Sequence, residues 1–353
     1  MKNIAYIIGH RSADKYRLKN LLIVIDRLIQ IKHKCLEYDI TLSIIIIEQD
    51  KTPTIKDGEI LHSQVHYVFI YNDGYYNRGW GFNVGFRLFS SYDYFYFADN
   101  DIIINERDLI HAFEHCFKYD AVNPYNVIYN TLESTETECF RQDSFNIKEL
   151  KQQKKVEQDE RPYICFSGGI VGISRKSMYL ISGWDERFRG RGWEDYAFTS
   201  KLFLFLSRIH TFSLKALHLW HPWETNTTRC INEKLNQEYG QYKVDNYIDM
   251  IEETRHIFGS CIKYSHINLP SDRFCNHYYI DDFKQCYKDQ CDKAITKYEK
   301  LLELVKRKHS SYHLNFHKRL VYYNLCEQHI CRDHRSDEDI IDPLIFESGD
   351  KKY

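Results

Sequence analysis

Apolar residues in the amino-terminal third alternate between short continuous runs and stretches spaced three or four positions apart. Ile4–Gly9 is such a run and stops at His10-Arg11-Ser12. From Leu18 to Tyr38, apolar side chains fall at helical spacing, at Leu21, Leu22, Val24, Ile25, Leu28 and Ile31. Thr41–Ile47 is almost wholly apolar and rich in β-branched residues, the pattern of a strand buried on both faces, and it ends in Glu48-Gln49-Asp50. His66–Tyr71 reads as a third strand before the turn Asn72-Asp73-Gly74. Asn77–Ser91 reads as a helix despite its glycines and leads into the aromatic strand that stops at Asp99. Strands alternating with helices predict an α/β fold with a largely parallel sheet and right-handed crossovers.

The pattern then lapses. Residues 131–162 are polar and charged (TLESTETECF, KELKQQKKVEQDE) and are expected to form a mobile loop or insertion whose Lys/Glu runs are a solvated face. Order resumes at Tyr163–Ile173, and Phe212–Leu217 reads as a strand. Beyond it the composition turns helical and charged, with Gly259 as a helix stop. The expected division is a catalytic domain over 1–259 and a helical carboxyl-terminal region over 260–353, for which partner docking, oligomerisation and acceptor capture all stay open.

Composition narrows the function classes. A chain of 353 residues with 43% hydrophobic and 28% charged residues is an ordinary globular protein. Its net charge of −2 gives no field that would favour nucleic acid. Tyr and Phe, at 28 and 21 copies, reflect a compositional bias more than a sugar-binding surface. Eleven cysteines lack both a disulfide framework and C-x-x-C zinc spacing, even at Cys286 and Cys291, which fits reduced thiols in the cytoplasm. Met1-Lys2-Asn3 runs directly into the first strand without a signal h-region, and no stretch reaches the length of a membrane span.

Three separated motifs carry chemistry. Tyr94–Asp101 (YFYFADND) is a strand delivering Asp99 and Asp101 to its carboxyl end, where open α/β sheets bind ligands and where carboxylates can hold Mn²⁺ or Mg²⁺ against a phosphate. Gly190-Arg191-Gly192-Trp193-Glu194-Asp195 is a glycine-rich turn opening a helix through Leu206, whose dipole favours ionised acids. His218-Leu219-Trp220-His221-Pro222 supplies imidazoles. Each alone has an ordinary structural explanation: a polar turn, helix-start acids, packed histidines near Trp220 and Trp223. Together they form the set a nucleotide-sugar transferase needs, a metal for the departing diphosphate and a carboxylate for the acceptor proton.

With GHRS at 9–12, EQ at 48–49, NRGWGFNVGF at 77–86, FADND at 97–101, FSGGIVGIS at 166–174, GWDERFRGRGWEDYAF at 183–198 and HLWHP at 218–222, the chain resembles GT-A fold glycosyltransferases of the β1,4-galactosyltransferase and bacterial chondroitin-polymerase type. The resemblance implies a GT-A fold with a carboxyl-terminal helical extension. It implies an inverting, metal-dependent transfer of Gal, GalNAc, GlcNAc or Glc from a UDP-sugar to a glycan or glycoprotein hydroxyl. It makes Asp101 a ligand of Mn²⁺ (or Mg²⁺), with Asp99 beside the ribose or the metal, His218 the favoured further ligand and His221 the less favoured one. Arg11, Glu48 and Arg78 would line the uridine and diphosphate pocket, and Gly168 and Gly169 would pass beneath the donor sugar. Asp195 would be the catalytic base and Glu194 a hydroxyl-binding neighbour. The acidic run after the glycines is shorter here than in galactosyltransferases, and no acceptor-stacking tryptophan aligns with Trp193, so the acceptor site does not transfer.

Two other classes stay open: a nucleotidyltransferase or phosphohydrolase using paired aspartates with Mg²⁺, and a non-catalytic carbohydrate-binding protein on a degenerate GT-A fold. His62, His66, His111 and His115 read as structural or surface residues. Trp184 and Trp193 read equally as packing anchors or sugar platforms. Asn226-Thr227-Thr228 matches a glycosylation acceptor without a secretory context.

Overall fold

Lys2–His10 forms β1 and is followed by helix α1 (Lys15–Cys35), then β2 (Ile40–Asp50), β3 (Val65–Tyr71), α2 (Arg78–Leu88) and β4 (Tyr94–Ala98). A computed structural model describes residues 2–55, 64–132, 140, 145–159, 165–190, 192–222, 229–241, 244–254 and 258–259. After β4 come β5 (Ile102–Ile104), α3 (Glu106–His115), β6 (Ala121–Asn123), β7 (Val127–Thr131), α4 (Ile147–Gln152), β8 (Val156–Gln158) and β9 (Ile170–Ser174). The described chain closes with α5 (Arg175–Leu180), α6 (Glu194–Phe205), β10 (Ile209–Thr211), β11 (Lys215–His218), α7 (Arg229–Gln241) and α8 (Val244–Thr254). The region over 260–353, His62, Arg191, Trp223, Asn226–Thr228, Cys139, Cys286 and Cys291 lie outside the described residues.

The main sheet has the order β10-β6-β9-β4-β1-β2-β3, with β9 antiparallel to its neighbours and the other strands parallel, as the alternating pattern predicts. Side chains alternate across it. Ile4, Tyr6, Ile8, Ile44 and Ile46 pack with Leu21, Val24 and Leu28 of α1 and Phe113 of α3. Ala5, Ile7, Ile45 and Ile47 pack with Phe82 and Phe86 of α2 and Phe198 and Leu202 of α6. Both faces are covered, which is why β1 and β2 are continuous apolar runs.

Helix α2 is buried all round, so its glycines and asparagines have packing roles. A Cβ on Gly85 would lie 2.9 Å from Ile7 Cγ2 and one on Gly79 would lie 3.0 Å from Trp184 Cβ. Asn77 caps the helix by accepting the Trp80 N–H (2.9 Å) and donates to the Glu186 carbonyl (2.9 Å), while Asn83 donates to the Trp184 carbonyl (2.9 Å). At Gly259 the chain turns with φ 74, its N–H donates to Glu186 Oε1 (2.5 Å), and the Phe258 carbonyl accepts from Arg87 Nε of α2 (3.0 Å), so this point of the chain is docked against α2.

A second sheet, β5-β11-β7-β8, was not legible in the sequence pattern. The strand expected over Phe212–Leu217 forms only from Lys215, as β11, and residues 212–214 link it to the end of β10 in the main sheet. The Phe212 N–H bonds to Asn123 O (2.9 Å) beside β6, and Leu214 O accepts the Asn126 N–H (3.1 Å) beside β7. The stretch expected to be a mobile loop over 131–162 carries α4 and β8, and β8 pairs antiparallel with β7 at Thr131↔Val156. Its buried Phe145, Ile147, Leu150 and Val156 are too few among Lys and Glu to set a period. Among the described residues, no helix is long and apolar enough to cross a membrane.

Gly172 in β9 lies opposite Tyr96 and Val122, and an added Cβ would stand 2.7 Å from Val122 Cγ2 and 3.0 Å from the Tyr96 ring. Alanine is better than glycine in a strand by about 0.5–1 kcal/mol, but overpacking a dense core costs about 1–3 kcal/mol. Gly172→Ala is therefore expected to lower unfolding free energy by roughly 1–2 kcal/mol, the difference of those terms, read from the urea midpoint.

Candidate active site

Parallel strands β1, β2 and β4 end side by side, with His10 opposite Glu48 and Ile8 opposite Ala98, so the residues that follow share one sheet edge. Directly after Asp101, β5 pairs antiparallel with β11, setting Ile102 opposite His218. The Asp101 carbonyl accepts the Leu219 N–H (2.7 Å), and Thr131 Oγ1 accepts the Trp220 N–H (2.6 Å). This ladder carries the HLWHP segment to the acid. His218 Nε2 is 3.6 Å from Asp101 Oδ1, and His221 Nε2 is 3.2 Å from Asp101 Oδ2.

Both histidines point the same nitrogen at Asp101 because the other one is anchored. His218 Nδ1 donates to Asn130 Oδ1 (3.0 Å) and His221 Nδ1 donates to the Pro222 carbonyl (2.9 Å). An imidazole fixed through Nδ1 presents Nε2 as a metal ligand. Ligand atoms from Asp101, His218 and His221 all lie within 4.8 Å of one another. The contest between the two histidines thus has no single winner in the geometry. Burial works to raise Asp101, but His218 and His221 outweigh it and hold the acid well below the ordinary carboxylate range. His221 is raised in turn: burial would lower it, and Asp101 overcomes that.

Asp99 extends the cluster toward α6. Arg78, the first residue of α2, donates from Nε to Asp99 Oδ1 (2.7 Å), and its Nη1 lies 3.9 Å from Glu194 Oε1. The guanidinium sits 5.0 Å from the ring centroids of both Phe82 and Trp184. Partial burial raises Asp99, Arg78 opposes that and Asp101 adds to it; with 38% of the side chain exposed, solvent tempers the effect. Glu194 is pushed up to about 7 by burial first and by Asp195 second, against Arg78. The helix dipole expected to keep both acids ionised is therefore outweighed at Glu194. Arg78 Nη2 and Glu194 Oε2 are buried with no hydrogen-bond partner.

The glycine turns complete the wall. Gly169 has φ 77 and its carbonyl accepts the Asp99 N–H (2.8 Å), while the Gly168 carbonyl accepts the Tyr125 hydroxyl (2.6 Å). A Cβ on Gly168 would stand 3.4 Å from Asp195 Oδ2, which puts the acid pair against this turn. The turn before α6 is held from two sides. Gly190 N–H donates to Tyr76 O (2.6 Å), and buried Asn232 of α7 accepts from Arg189 N (3.1 Å) and donates to Gly192 O (2.9 Å). Trp193 enters α6 in the left-handed region at φ 77. Trp184 is a packing anchor, buried and stacked on Phe198 at 3.8 Å.

Two residues expected to line the pocket have structural partners. Arg11 donates to the carbonyls of Gln49 (2.7 Å), Gly74 (2.7 Å) and Asn72 (2.9 Å), clamping the loop after β3. Glu48 is wholly buried and accepts hydrogen bonds from Thr54 and Tyr67. Beside them His10, held down at about 4 by burial and by Arg17, bonds through Nδ1 to Asn100 Nδ2 (2.6 Å). Sequence reasoning missed Asn130, Tyr125, Asn232 and Arg17, because no local motif marks a residue whose role depends on a distant strand. His111 and His115, expected to be structural or surface residues, lie with Glu114 in a second set of ligand atoms on α3.

No protein-family model and no curated protein matches the chain. Among solved structures it is similar to Drosophila β1,4-galactosyltransferase 7 in complex with manganese, UDP-Gal and xylobiose, at 14% identity over 66% of this chain and 79% of that one, with a TM-score of 0.41. It is also similar to S. aureus TarS in complex with UDP-GlcNAc, at 13% identity over 93% of this chain and 92% of that one, again with a TM-score of 0.41.

Glu194 makes stability depend on pH. An acid raised from 4.5 to about 7 on folding binds protons preferentially in the folded state across that window. Its contribution is present at low pH and lost as pH rises through the window. Glu194→Gln is expected to flatten the wild-type loss of stability between about pH 5 and 7.5, measured by urea unfolding at each pH. Equal losses in the two proteins would show that Glu194 titrates normally.

Proposed function

We propose that this chain is a GT-A glycosyltransferase that transfers a sugar from a UDP-sugar to a glycan or glycoprotein hydroxyl with inversion. The observation that carries this reading is Arg78. It ties Asp99 at the end of β4 to Glu194 at the start of α6, joining the acid–imidazole triad and the Glu-Asp pair into one site. The donor set fits a divalent cation, since one carboxylate and two Nδ1-anchored imidazoles converge within 4.8 Å. Two nitrogen ligands favour Mn²⁺ over Mg²⁺, which prefers oxygen and retained water. When bound, the cation supplies positive charge against the leaving diphosphate.

Asp101, His218 and His221 would hold that cation, and Asp99 would meet the ribose or the metal's water. Arg78, with Nη2 unpartnered, would offer a hydrogen bond to the donor from the Asp99 side. Gly168 and Gly169 would leave room for the donor sugar beside Asp195. Arg11 and Glu48 would shape the uridine side of the pocket by fixing its loops. The acceptor oxygen forms a bond to the anomeric carbon as the bond to the diphosphate breaks, and Asp195 takes the hydroxyl proton. Glu194 then binds a hydroxyl through Oε2. One observation favours exchanging those two roles: a carboxyl near 7 with a free oxygen is itself suited to general-base work.

The free buried thiols Cys35, Cys116 and Cys165 fit a reducing compartment, consistent with a cytoplasmic enzyme. We assign residues 1–259 to catalysis and 260–353 to acceptor capture or self-association.

Purified protein incubated with Mn²⁺ and a panel of UDP-sugars is expected to hydrolyse one of them slowly without acceptor, and chelator is expected to stop the reaction. Asp101→Ala should abolish turnover, and Asp195→Asn should lower it by about 10²-fold or more. If Glu194→Gln shows the larger loss and removes the limb of the pH–rate profile near 7, the base is Glu194. Stabilisation by CTP or ATP with Mg²⁺, and none by UDP with Mn²⁺, would favour a nucleotidyltransferase instead.

A further inference from the structure

Arg17 belongs to no motif, yet it sits at the metal triad. Asp14 caps α1 by accepting the N–H groups of Tyr16 (2.7 Å) and Arg17 (3.0 Å). Tyr16 packs edge-on against Trp220 at 5.1 Å, and Asn20 donates to the Trp220 carbonyl (3.1 Å). The first turns of α1 are thus braced on the segment that carries His218 and His221. From there Arg17 Nη1 reaches to 3.8 Å from Asp101 Oδ2, the oxygen that His221 Nε2 approaches. Asp101 is 5% exposed and Arg17 20%, so the guanidinium is the solvent-facing member of the pair.

We propose that Arg17 couples the two ligands of this site, opposing a divalent cation bound alone and favouring the cation bound together with a diphosphate. The inference rests on the metal and diphosphate reading given above. Asp101 is the only acid in the triad, and a divalent cation there must share it with a guanidinium. Two cations on one poorly hydrated carboxylate repel one another, and the repulsion is stronger than in bulk water. A diphosphate reverses the sign, because its oxygens can accept from Arg17 while its charge attracts the metal. His218 and His221 cannot play this part, since as metal ligands they are neutral. Arg78 is paired with Asp99 and faces Glu194, on the other side of the cluster. Coupling between two ligands is reciprocal, so one residue should alter both affinities.

The test is calorimetric titration of the full chain with Mn²⁺ alone, then with UDP and with inorganic pyrophosphate at saturating Mn²⁺. Arg17→Gln is expected to bind Mn²⁺ alone more tightly than wild type by about ten-fold, and to bind UDP and pyrophosphate with Mn²⁺ more weakly by about the same factor. Arg17→Lys keeps the charge and should retain the direction of coupling, with a melting curve for each variant to verify folding. If Arg17→Gln is misfolded, the Lys variant must still show pyrophosphate enhancing Mn²⁺ binding. Unchanged Mn²⁺ affinity in a folded Arg17→Gln protein, or no enhancement in the wild type, would overturn the proposal. Pyrophosphate coupling without any UDP binding would leave Arg17's role standing and refute the UDP-sugar reading.

Discussion

The antiparallel ladder of β5 on β11 is the constraint on which the site depends. It begins one residue after Asp101 and ends at His218, so the acid and the imidazoles are placed by backbone pairing and not by side-chain reach. The carbonyl of Asp101 is itself part of that pairing, through the Leu219 N–H. A shift by one residue would turn alternate side chains to the other face of the strand and separate the cluster. Thr131 and Asn130 of β7 brace the opposite side, which makes the small second sheet a support for the charged groups.

That support matters because the groups it holds are expensive to bury. Asp99, Asp101, Glu194 and Asp195 gather near Arg78 and Arg17 at one end of the main sheet, and the balance differs from acid to acid. Asp101 has imidazole partners that outweigh its desolvation. Glu194 has only a distant Arg78 and a like-charged neighbour, so burial prevails. An unpaired buried polar atom costs on the order of 1–3 kcal/mol, and Arg78 and Glu194 each carry one. Stability alone would not retain them. A ligand with acceptors for Arg78 and a hydroxyl for Glu194 would supply the missing bonds.

Much of the scaffold was legible from residues 2–98, where the strands are largely apolar runs and α1 has a clear helical period. The reading faltered where short strands carry mixed side chains. Phe212–Leu217 is broken only by Ser213 and Lys215, which alternate with apolar residues as in one strand, yet the backbone leaves one sheet for another across residues 212–214. At 145–159 a helix and a strand are written in too few apolar residues to rise above the surrounding charge. Arg11 shows a different limit: its place after β1 was evident, whereas its engagement with the carbonyls of Gln49, Asn72 and Gly74 was not.

The sequence by itself determined which groups could do chemistry and roughly where they stand: aspartates after a buried strand, acids opening a helix, histidines after a late strand. Local pattern suffices there, since periodicity and turn residues act over neighbours in the chain. Tertiary structure alone decided which of them meet. It brought both histidines to Asp101, put Arg78 between Asp99 and Glu194, added Arg17 from α1 and turned Glu48 inward. Those outcomes depend on strand register and burial between segments up to two hundred residues apart, as at Asn20 and Trp220. Proximity and desolvation set the charge state of each acid, and neither is a property of a residue's neighbours in sequence.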